Sequence, residues 1–172
     1  LLALIPESLK DSLAQRTVER ELLPMARALH LTITAWSPLA GGILTGKYHG
    51  QGDSKDTRLA TENMRQFMPD EQRTARIIAA LRTVSDQAHR PMAQIALAWL
   101  RYRSVPVIPI LGARKLTQLQ DNLASFDLSL SPDQLKLLDE SSSIDLGFPY
   151  DFYTKDMVRS FIYAGLADQI IL

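Results

Sequence analysis

Two glycine-containing turns carry the residue types in this sequence that could hold a ligand. The first, WSPLAGGILTGKY from Trp36 to Tyr48, ends the apolar run LTITAW, and the second, LGAR from Leu111 to Arg114, follows VPVIPI. Glycine lacks a Cβ, so another molecule can lie close against its backbone. Lys and Arg supply the cations that phosphate groups require. This combination after apolar segments predicts a phosphate-binding site.

The residues that could contact such a ligand are three glycines, three cations and a tryptophan: Gly41, Gly42, Gly112, Lys47, Arg58, Arg114 and Trp36. The tryptophan could offer its face to a flat ring. A structural interpretation stands beside this one, because glycine pairs also form turns, surface cations are solvated, and Trp36 and Trp99 could pack in a core. The chain has neither a G-x-G-x-x-G fingerprint nor a Walker lysine loop, so no Rossmann or P-loop site is indicated.

Cysteine and histidine, which often act as nucleophiles, bases or metal ligands, are few in this chain. The chain has no cysteine and only three histidines. His30 is predicted to end a helix in left-handed geometry, where glycine is usual. His49 falls in a polar loop and His89 at a helix end, so both are expected at the surface. None of the three histidines is therefore assigned a catalytic role, and no metal site is predicted.

The composition is that of a globular domain. The 172 residues are 46% hydrophobic and 22% charged, with 19 basic and 19 acidic side chains. A balanced charge gives no field that draws nucleic acid or anionic lipid, and no apolar run is long enough to span a membrane. The first ten residues lack a basic leader and a cleavage site. With no cysteine, the chain is expected to be cytoplasmic.

Apolar patterning predicts an α/β fold with parallel strands. LTITAW and VPVIPI have the character of buried strands, and VPVIPI is typical of a strand buried on both faces. A weaker strand is predicted in the first ten residues. With the helices between them, the order is strand, helix, strand, helix pair, strand, helix, helix and tail.

The first helix is predicted from Thr17, as its N-cap, to Leu29, with a kink at Pro24. Four apolar residues form its inward face: Val18, Leu22, Met25 and Leu29.

Four more helices are predicted after the polar stretch from Gly50 to Met68. One starts at Asp70 and another at Pro91, and the last begins with a capping box in which Ser131 pairs with Gln134. The inward residues of the Asp70 helix are Ile77, Ile78, Leu81 and Val84, and those of the helix after LGAR are Leu116, Leu119 and Leu123.

Three segments carry a family resemblance: ERELLPMARAL, TAWSPLAGGILTGKY and IALAWLRYRSVPVIPILGARKLTQLQDNLASFDLSLSPDQLKLLDE. They closely resemble the C-terminal half of aldo-keto reductases, in the branch of bacterial aldo-keto reductases and β subunits of voltage-gated potassium channels. The resemblance implies strands six to eight of a (β/α)8 TIM barrel, incomplete on its own. Residues 1–172 would form one partial domain, and the tail, residues 141–172 with Phe148, Tyr150, Phe152 and Tyr153, would cover the barrel mouth.

The resemblance also implies the cofactor NADP(H), held in an extended pose. Trp36 matches the aromatic residue that stacks on the nicotinamide. Ribose and pyrophosphate contacts match Ser37, Pro38, Leu39, Ala40 and Gly41. Lys47 matches a phosphate-contacting lysine, and Arg58 resembles a basic residue of the following loop that helps clasp the cofactor. The adenosine end matches Gly112, Arg114, Gln118, Asp121 and Asn122.

The family's catalytic Asp, Tyr, Lys and His lie on earlier strands, and this chain has no counterpart of them. Family members also carry Gln and Tyr where the chain has Ser8 and Asp11. We therefore predict an NADP(H)-binding part of an oxidoreductase that reduces small carbonyl compounds only when the missing half is supplied. The alternative is a non-catalytic half-barrel that binds nucleotide or self-assembles. The expected partner is an N-terminal half or a second copy of the chain.

Overall fold

A computed structural model describes residues 9–47, 70–164 and 166. Its strands are β1 (Leu9–Lys10), β2 (Ile33–Trp36) and β3 (Val107–Pro109). Its α-helices are α1 (Leu22–Ala28), α2 (Glu71–Ala88), α3 (Met92–Trp99), α4 (Leu116–Leu123), α5 (Pro132–Ser142), α6 (Tyr150–Tyr153) and α7 (Asp156–Tyr163). Short 3-10 turns cover Thr17–Glu19, Ala40–Thr45, Leu100–Tyr102 and Ala124–Asp127.

The three strands form one parallel sheet in the order β1-β2-β3. Leu9 stands opposite Ala35, which stands opposite Pro109, and the amide of Ile110 donates to the Ala35 carbonyl at 2.9 Å. All three strands therefore end at the same level. The segments that follow β1, β2 and β3 leave the sheet at one edge, as expected for a parallel α/β arrangement.

One face of the sheet is covered and the other is open. Ile33 and Ala35 on β2 are fully buried, whereas Trp36 is 50% exposed. On β3, Ile108 is 51% exposed and Ile110, just beyond the strand, is 46% exposed. The prediction that VPVIPI is buried on both faces is therefore wrong. Alternate residues of a strand point to opposite faces, and the described residues cover only one of them.

The main core lies between the covered face and helices α2, α3 and α5. It contains the predicted inward residues of α2, together with Trp99, which is 1% exposed and thus packs as a core residue. Asp70 caps α2 by accepting a hydrogen bond from the Arg73 amide. The capping box of α5 forms as predicted, with Ser131 and Gln134 each bonding the other's backbone.

The first helix differs from its prediction. Thr17 starts a 3-10 turn instead of capping a helix, and α1 begins only at Leu22. The break between them rotates the apolar face, so Leu23 and Ala26 are buried while Met25 and Leu29 are exposed. Pro24 lies in the first turn of α1, where amides have no intrahelical acceptor, so no kink is required there.

The leucines of α4 are also not inward-facing. Leu116, Leu119 and Leu123 are all exposed, with Leu116 at 70%. They share one face of α4, as their spacing predicts, but no described residues cover that face. Asn122 is the buried residue of this helix.

Two predicted helix ends are left-handed, a geometry that the sequence predicts for His30 but not for His89. His30 follows α1 with φ of 53°, and His89 ends α2 with φ of 51°, so both adopt the left-handed conformation at exposed positions. Pro91 is the N-cap of α3 and not its first helical residue. Within the described ranges, no helix has the length and hydropathy needed to cross a bilayer.

Candidate functional site

The two predicted turns lie at the same edge of the sheet. Residues 37–47 continue directly from β2, and residues 110–115 continue from its neighbour β3. Trp36 is the last residue of β2 and lies half-exposed on the open face. In parallel α/β proteins this edge, at the carboxyl ends of the strands, is where ligands bind.

Left-handed backbone gives the segment after β2 its shape. Ser37, Ala40, Gly41, Gly42 and Gly46 have φ of 54°, 49°, 66°, 98° and 77°. Two of these residues are not glycine, and each of them is strained by about 1–2 kcal/mol in this conformation. Backbone strain of this kind is concentrated at functional sites.

The same segment is fixed by its own hydrogen bonds. The Ala40 amide donates to the Ser37 carbonyl at 2.8 Å, and the Gly42 amide donates to the Leu39 carbonyl at 2.9 Å. The hydroxyl of Thr45 donates to the Gly42 carbonyl at 2.7 Å. These bonds hold the left-handed residues in one arrangement.

Packing on the core anchors the segment further. Ile43 and Leu44 are buried in the main core, and a Cβ placed on Gly46 would lie 2.7 Å from Met92 Sδ on α3. Pro38 and Ala40 are also buried, which leaves the partly exposed residues of the loop to face a ligand. Lys47 is exposed at the end of the described range, whereas Arg58, Tyr48 and His49 lie outside the described residues.

The turn after β3 is held by a side chain of α4. Gln118 Oε1 accepts a hydrogen bond of 2.9 Å from the Arg114 amide. Gly112, Arg114, Gln118 and Asp121 are exposed, whereas Asn122 is buried. The predicted adenosine-binding set is thus brought together on one turn and helix, except that Asn122 lies inside the fold.

Gly112 is not required by the packing of the described residues. A Cβ built there meets no atom within 4 Å, and the backbone of Gly112 is not left-handed. Neither of the usual structural reasons for glycine therefore applies within the described part of the chain. The described residues thus leave the space in front of Gly112 open to a ligand.

Lys10 is a site residue that the sequence did not indicate. It is the last residue of β1 and stands opposite Trp36, so both side chains lie on the open face. Its Nζ lies 5.8 Å from the centroid of the indole. Burial lowers the pKa of Lys10 from its ordinary value of 10.5. Its position at the end of a parallel strand next to β2 is the feature from which a place in the candidate site could have been inferred.

A buried charge cluster lies beside the sheet. Asp11 is fully buried and lies 3.5 Å from Arg103 Nε, and Glu19 accepts hydrogen bonds from both Arg103 and Arg16. The two guanidinium carbons lie 4.4 and 5.3 Å from the ring centroid of Trp99. Burial raises the pKa of Asp11 although Arg103 opposes the shift. This cluster joins β1 to α3 and lies away from the open face.

A second arginine ties separate segments together. Arg73, on α2, donates to the carbonyls of Leu13 at 3.2 Å, Ala14 at 2.7 Å and Ser143 at 3.3 Å, and also to that of Ser142. One guanidinium therefore connects the segment after β1, the start of α2 and the end of α5. Burial lowers the pKa of Arg73.

The aromatic tail begins against the segment before α1. The Tyr150 hydroxyl donates to the Arg20 carbonyl, and the Arg20 guanidinium donates to the Asp145 carbonyl at 2.9 Å. Phe148 and Phe152 are exposed, with ring centroids 6.0 Å apart. Coverage of a barrel mouth by residues 141–172 stays a prediction.

The family model described as "Aldo/keto reductase family" matches residues 8–143 of this chain. The match contains β1 to α5 with both turns and ends before the aromatic residues of the tail. An uncharacterized oxidoreductase of Bacillus subtilis, YrpG, is 34% identical over 139 residues, which cover 81% of this chain and 40% of the relative. A probable voltage-gated potassium channel subunit beta of Arabidopsis thaliana is 33% identical over 119 residues, or 67% of this chain and 36% of the relative.

Among solved structures, a thermostable aldo-keto reductase in complex with the inhibitor epalrestat superimposes with a TM-score of 0.54 at 24% identity. The alignment covers 78% of this chain and 38% of that one. At this identity the likeness concerns the fold. The chain spans less than half the length of each of these three proteins.

Proposed function

Because the chain belongs to the aldo/keto reductase family, we propose that it is the NADP(H)-binding part of an oxidoreductase that reduces small carbonyl compounds. The three strands would be the sixth, seventh and eighth of a (β/α)8 barrel, with helices on the outside and the open face toward the barrel interior. Reduction would need the remaining strands, because the chain has no counterpart of the family's catalytic residues.

The observation that carries this proposal is the open space at Gly112 beside the loop that begins at Trp36. Both lie at the edge where β2 and β3 end, and neither packing nor backbone conformation within the described residues requires glycine at 112. A backbone free of side chains next to an exposed indole and several cations suits a long, flat, anionic ligand. A dinucleotide has these properties.

Different residues would contact different parts of the cofactor. Trp36 would stack on the nicotinamide, and the loop after it would lie along the ribose and pyrophosphate, with Lys47 and Arg58 neutralising phosphate charge. Arg114 would form a charge-assisted pair with the 2′-phosphate, beside Gly112, Gln118 and Asp121. We assign Asn122 to shaping α4, since it is buried. The bound NADPH would supply the hydride.

A second candidate function has its own support. The open sheet face carries the exposed side chains of Ile108 and Ile110, and α4 adds exposed leucines. Apolar faces of this kind favour association. A chain that binds nucleotide and assembles through this face, without catalysis, is the alternative.

Fluorescence titration tests the proposed function. Of the two tryptophans, Trp36 is half-exposed at the site and Trp99 is buried. We expect NADPH to quench emission saturably in the purified chain, and Trp36→Phe to lose most of that quenching. The control is Phe126→Leu, which removes an exposed aromatic ring just after α4. Quenching that is absent, or that survives unchanged in Trp36→Phe, contradicts the proposed site.

A further inference from the structure

Lys10 places a positive charge beside the aromatic residue at the centre of the candidate site. The two residues are directly paired in the parallel register of β1 and β2, and Nζ lies 5.8 Å from the indole centroid. Lys10 is only partly exposed. Because burial reduces the screening by water, its charge acts on neighbouring groups more strongly than that of a fully solvated lysine.

The two redox forms of a nicotinamide cofactor differ in the charge of the nicotinamide ring. The oxidised ring is a cation, whereas the reduced dihydronicotinamide ring is neutral. The adenosine, ribose and phosphate portions are the same in both forms. A fixed cation next to the ring therefore opposes the oxidised form and leaves the reduced form almost unaffected.

We propose that Lys10 makes this site discriminate between redox states, so that NADPH binds more tightly than NADP⁺. This inference rests on the proposed function, because it requires the nicotinamide to lie against Trp36. The carboxyl group of Asp11, the next residue in the chain, does not offset the charge at the indole. It is fully buried and lies 3.5 Å from Arg103 Nε in the cluster beside the sheet.

The preference has a thermodynamic consequence for the site. Because the charge weakens binding of the oxidised form and leaves binding of the reduced form almost unchanged, the preference equals the factor by which NADP⁺ binding is weakened. Lys10 would thus promote release of NADP⁺. It would act as a specificity-determining residue for cofactor redox state and would have no part in the bond-making step.

The experiment compares two nucleotides across four proteins. Dissociation constants for NADPH and NADP⁺ are measured by calorimetry for the wild-type chain, Lys10→Met, Lys10→Arg and Lys136→Met. Met removes the charge but keeps most of the side-chain length, and Arg keeps the charge. Lys136 is an exposed lysine on α5 that pairs with Glu140 at 3.9 Å, so Lys136→Met is the matched control for loss of one lysine.

We expect the preference for NADPH over NADP⁺ to fall about three- to tenfold in Lys10→Met, the size of one partly screened charge interaction. Lys10→Arg and Lys136→Met should keep the wild-type preference. Adenosine 2′,5′-bisphosphate, which lacks the nicotinamide, should bind wild type and Lys10→Met equally, which shows that the variant is folded at the adenosine end.

Two results would overturn the inference and they are distinguishable. If both nucleotides bind but their affinity ratio is the same in wild type and Lys10→Met, Lys10 does not sense the redox state and the proposed function stands. If neither nucleotide binds the wild-type chain, the proposed function and this inference fail together.

Discussion

Asp11 and Arg103 form a buried pair in which Oδ2 lies 3.5 Å from Nε, yet neither carboxylate oxygen nor this Nε makes a hydrogen bond to any of the described residues. Ion pairs buried without full hydrogen bonding are weak sources of stability, because desolvation opposes the attraction. Burial accordingly raises the pKa of Asp11 above its ordinary value of 3.8. The folded chain holds this proton more tightly than the unfolded chain does.

This pair gives the first prediction, a dependence of stability on pH. A carboxyl whose pKa is raised on folding reduces the free energy of unfolding as pH rises from about 3.8 through the raised pKa. Asp11→Asn should remove this pH-dependent loss of stability. The free energy of unfolding of the variant, relative to that of wild type, should therefore increase as pH rises across this window and should remain at the increased level at about pH 7. Glu19 remains to pair with Arg103.

Urea denaturation at several pH values between about 3.5 and about 7 measures the difference in the free energy of unfolding between wild type and Asp11→Asn. The control is Asp86→Asn, which changes an exposed aspartate on α2. Parallel pH profiles for wild type and Asp11→Asn would show that Asp11 has no raised pKa in the folded chain.

The second prediction concerns Arg73, which holds carbonyls of two distant segments. Arg73→Met should lower the free energy of unfolding by about 2–3 kcal/mol, since hydrogen bonds from a charged donor are worth about that much. Arg76→Met, an exposed change on the same helix, should alter it by less than about 0.5 kcal/mol. Thermal or urea unfolding measures the free energy of unfolding of both variants. Equal effects in the two variants would refute the role assigned to Arg73.

The third prediction concerns the choice between NADP(H) and NAD(H). Arg114→Ala should weaken NADP⁺ binding about ten- to hundredfold, because a charge-assisted bond to phosphate is worth about 1.5–3 kcal/mol. NAD⁺, which has no 2′-phosphate, should bind almost unchanged. The bond to Gln118 comes from the Arg114 amide, so the substitution leaves it in place. Titration of both nucleotides tests this, and equal affinities in wild type would exclude the assignment.

The fourth prediction is that the isolated chain associates with itself. The sheet has unpaired edges among the described residues, and its open face carries Ile108 and Ile110. Light scattering should give a mass above the 19.3 kDa of one chain. The double variant Ile108→Thr, Ile110→Thr keeps residues suited to strands and should weaken association roughly tenfold or more. Met25→Thr, at an exposed position on α1, is the control, and a wild-type monomer at all concentrations would contradict the prediction.

The fifth prediction is that this chain alone does not reduce carbonyls at a rate typical of its family. Loss of the general acid alone lowers the rate by roughly two to four powers of ten. We do not expect Tyr150 to supply one, because its hydroxyl donates a hydrogen bond to the Arg20 carbonyl. NADPH oxidation with reactive aldehydes and quinones is the assay. Steady turnover that disappears in Tyr150→Phe or Tyr153→Phe would show that the tail provides the acid.

Structural features that depend on residues close together in the chain could be predicted from the sequence. The capping box at Ser131 and the left-handed helix end at His30 depend on residues within one turn of each other. The apolar face of α2 follows from helical spacing alone. The family and its branch are confirmed as well, because the matched segments are long and occur in the right order.

Predictions that depended on distant contacts were wrong. Spacing indicates that the three leucines of α4 share a face, but not whether anything covers that face. The same limit applies to Ile108 on β3. The pairing of Lys10 with Trp36 arises from register between two strands, and no pattern within either strand encodes it.

The loop from Ser37 to Gly46, with its left-handed residues, loses its conformational entropy during folding and not during ligand binding. Its internal hydrogen bonds and its contact with Met92 fix the backbone as the chain folds. Ordering a residue opposes the process in which it occurs by about 1–2 kcal/mol, and here that process is folding. A ligand that reaches this edge therefore meets a surface already formed, and binding retains the free energy that a flexible loop would have consumed.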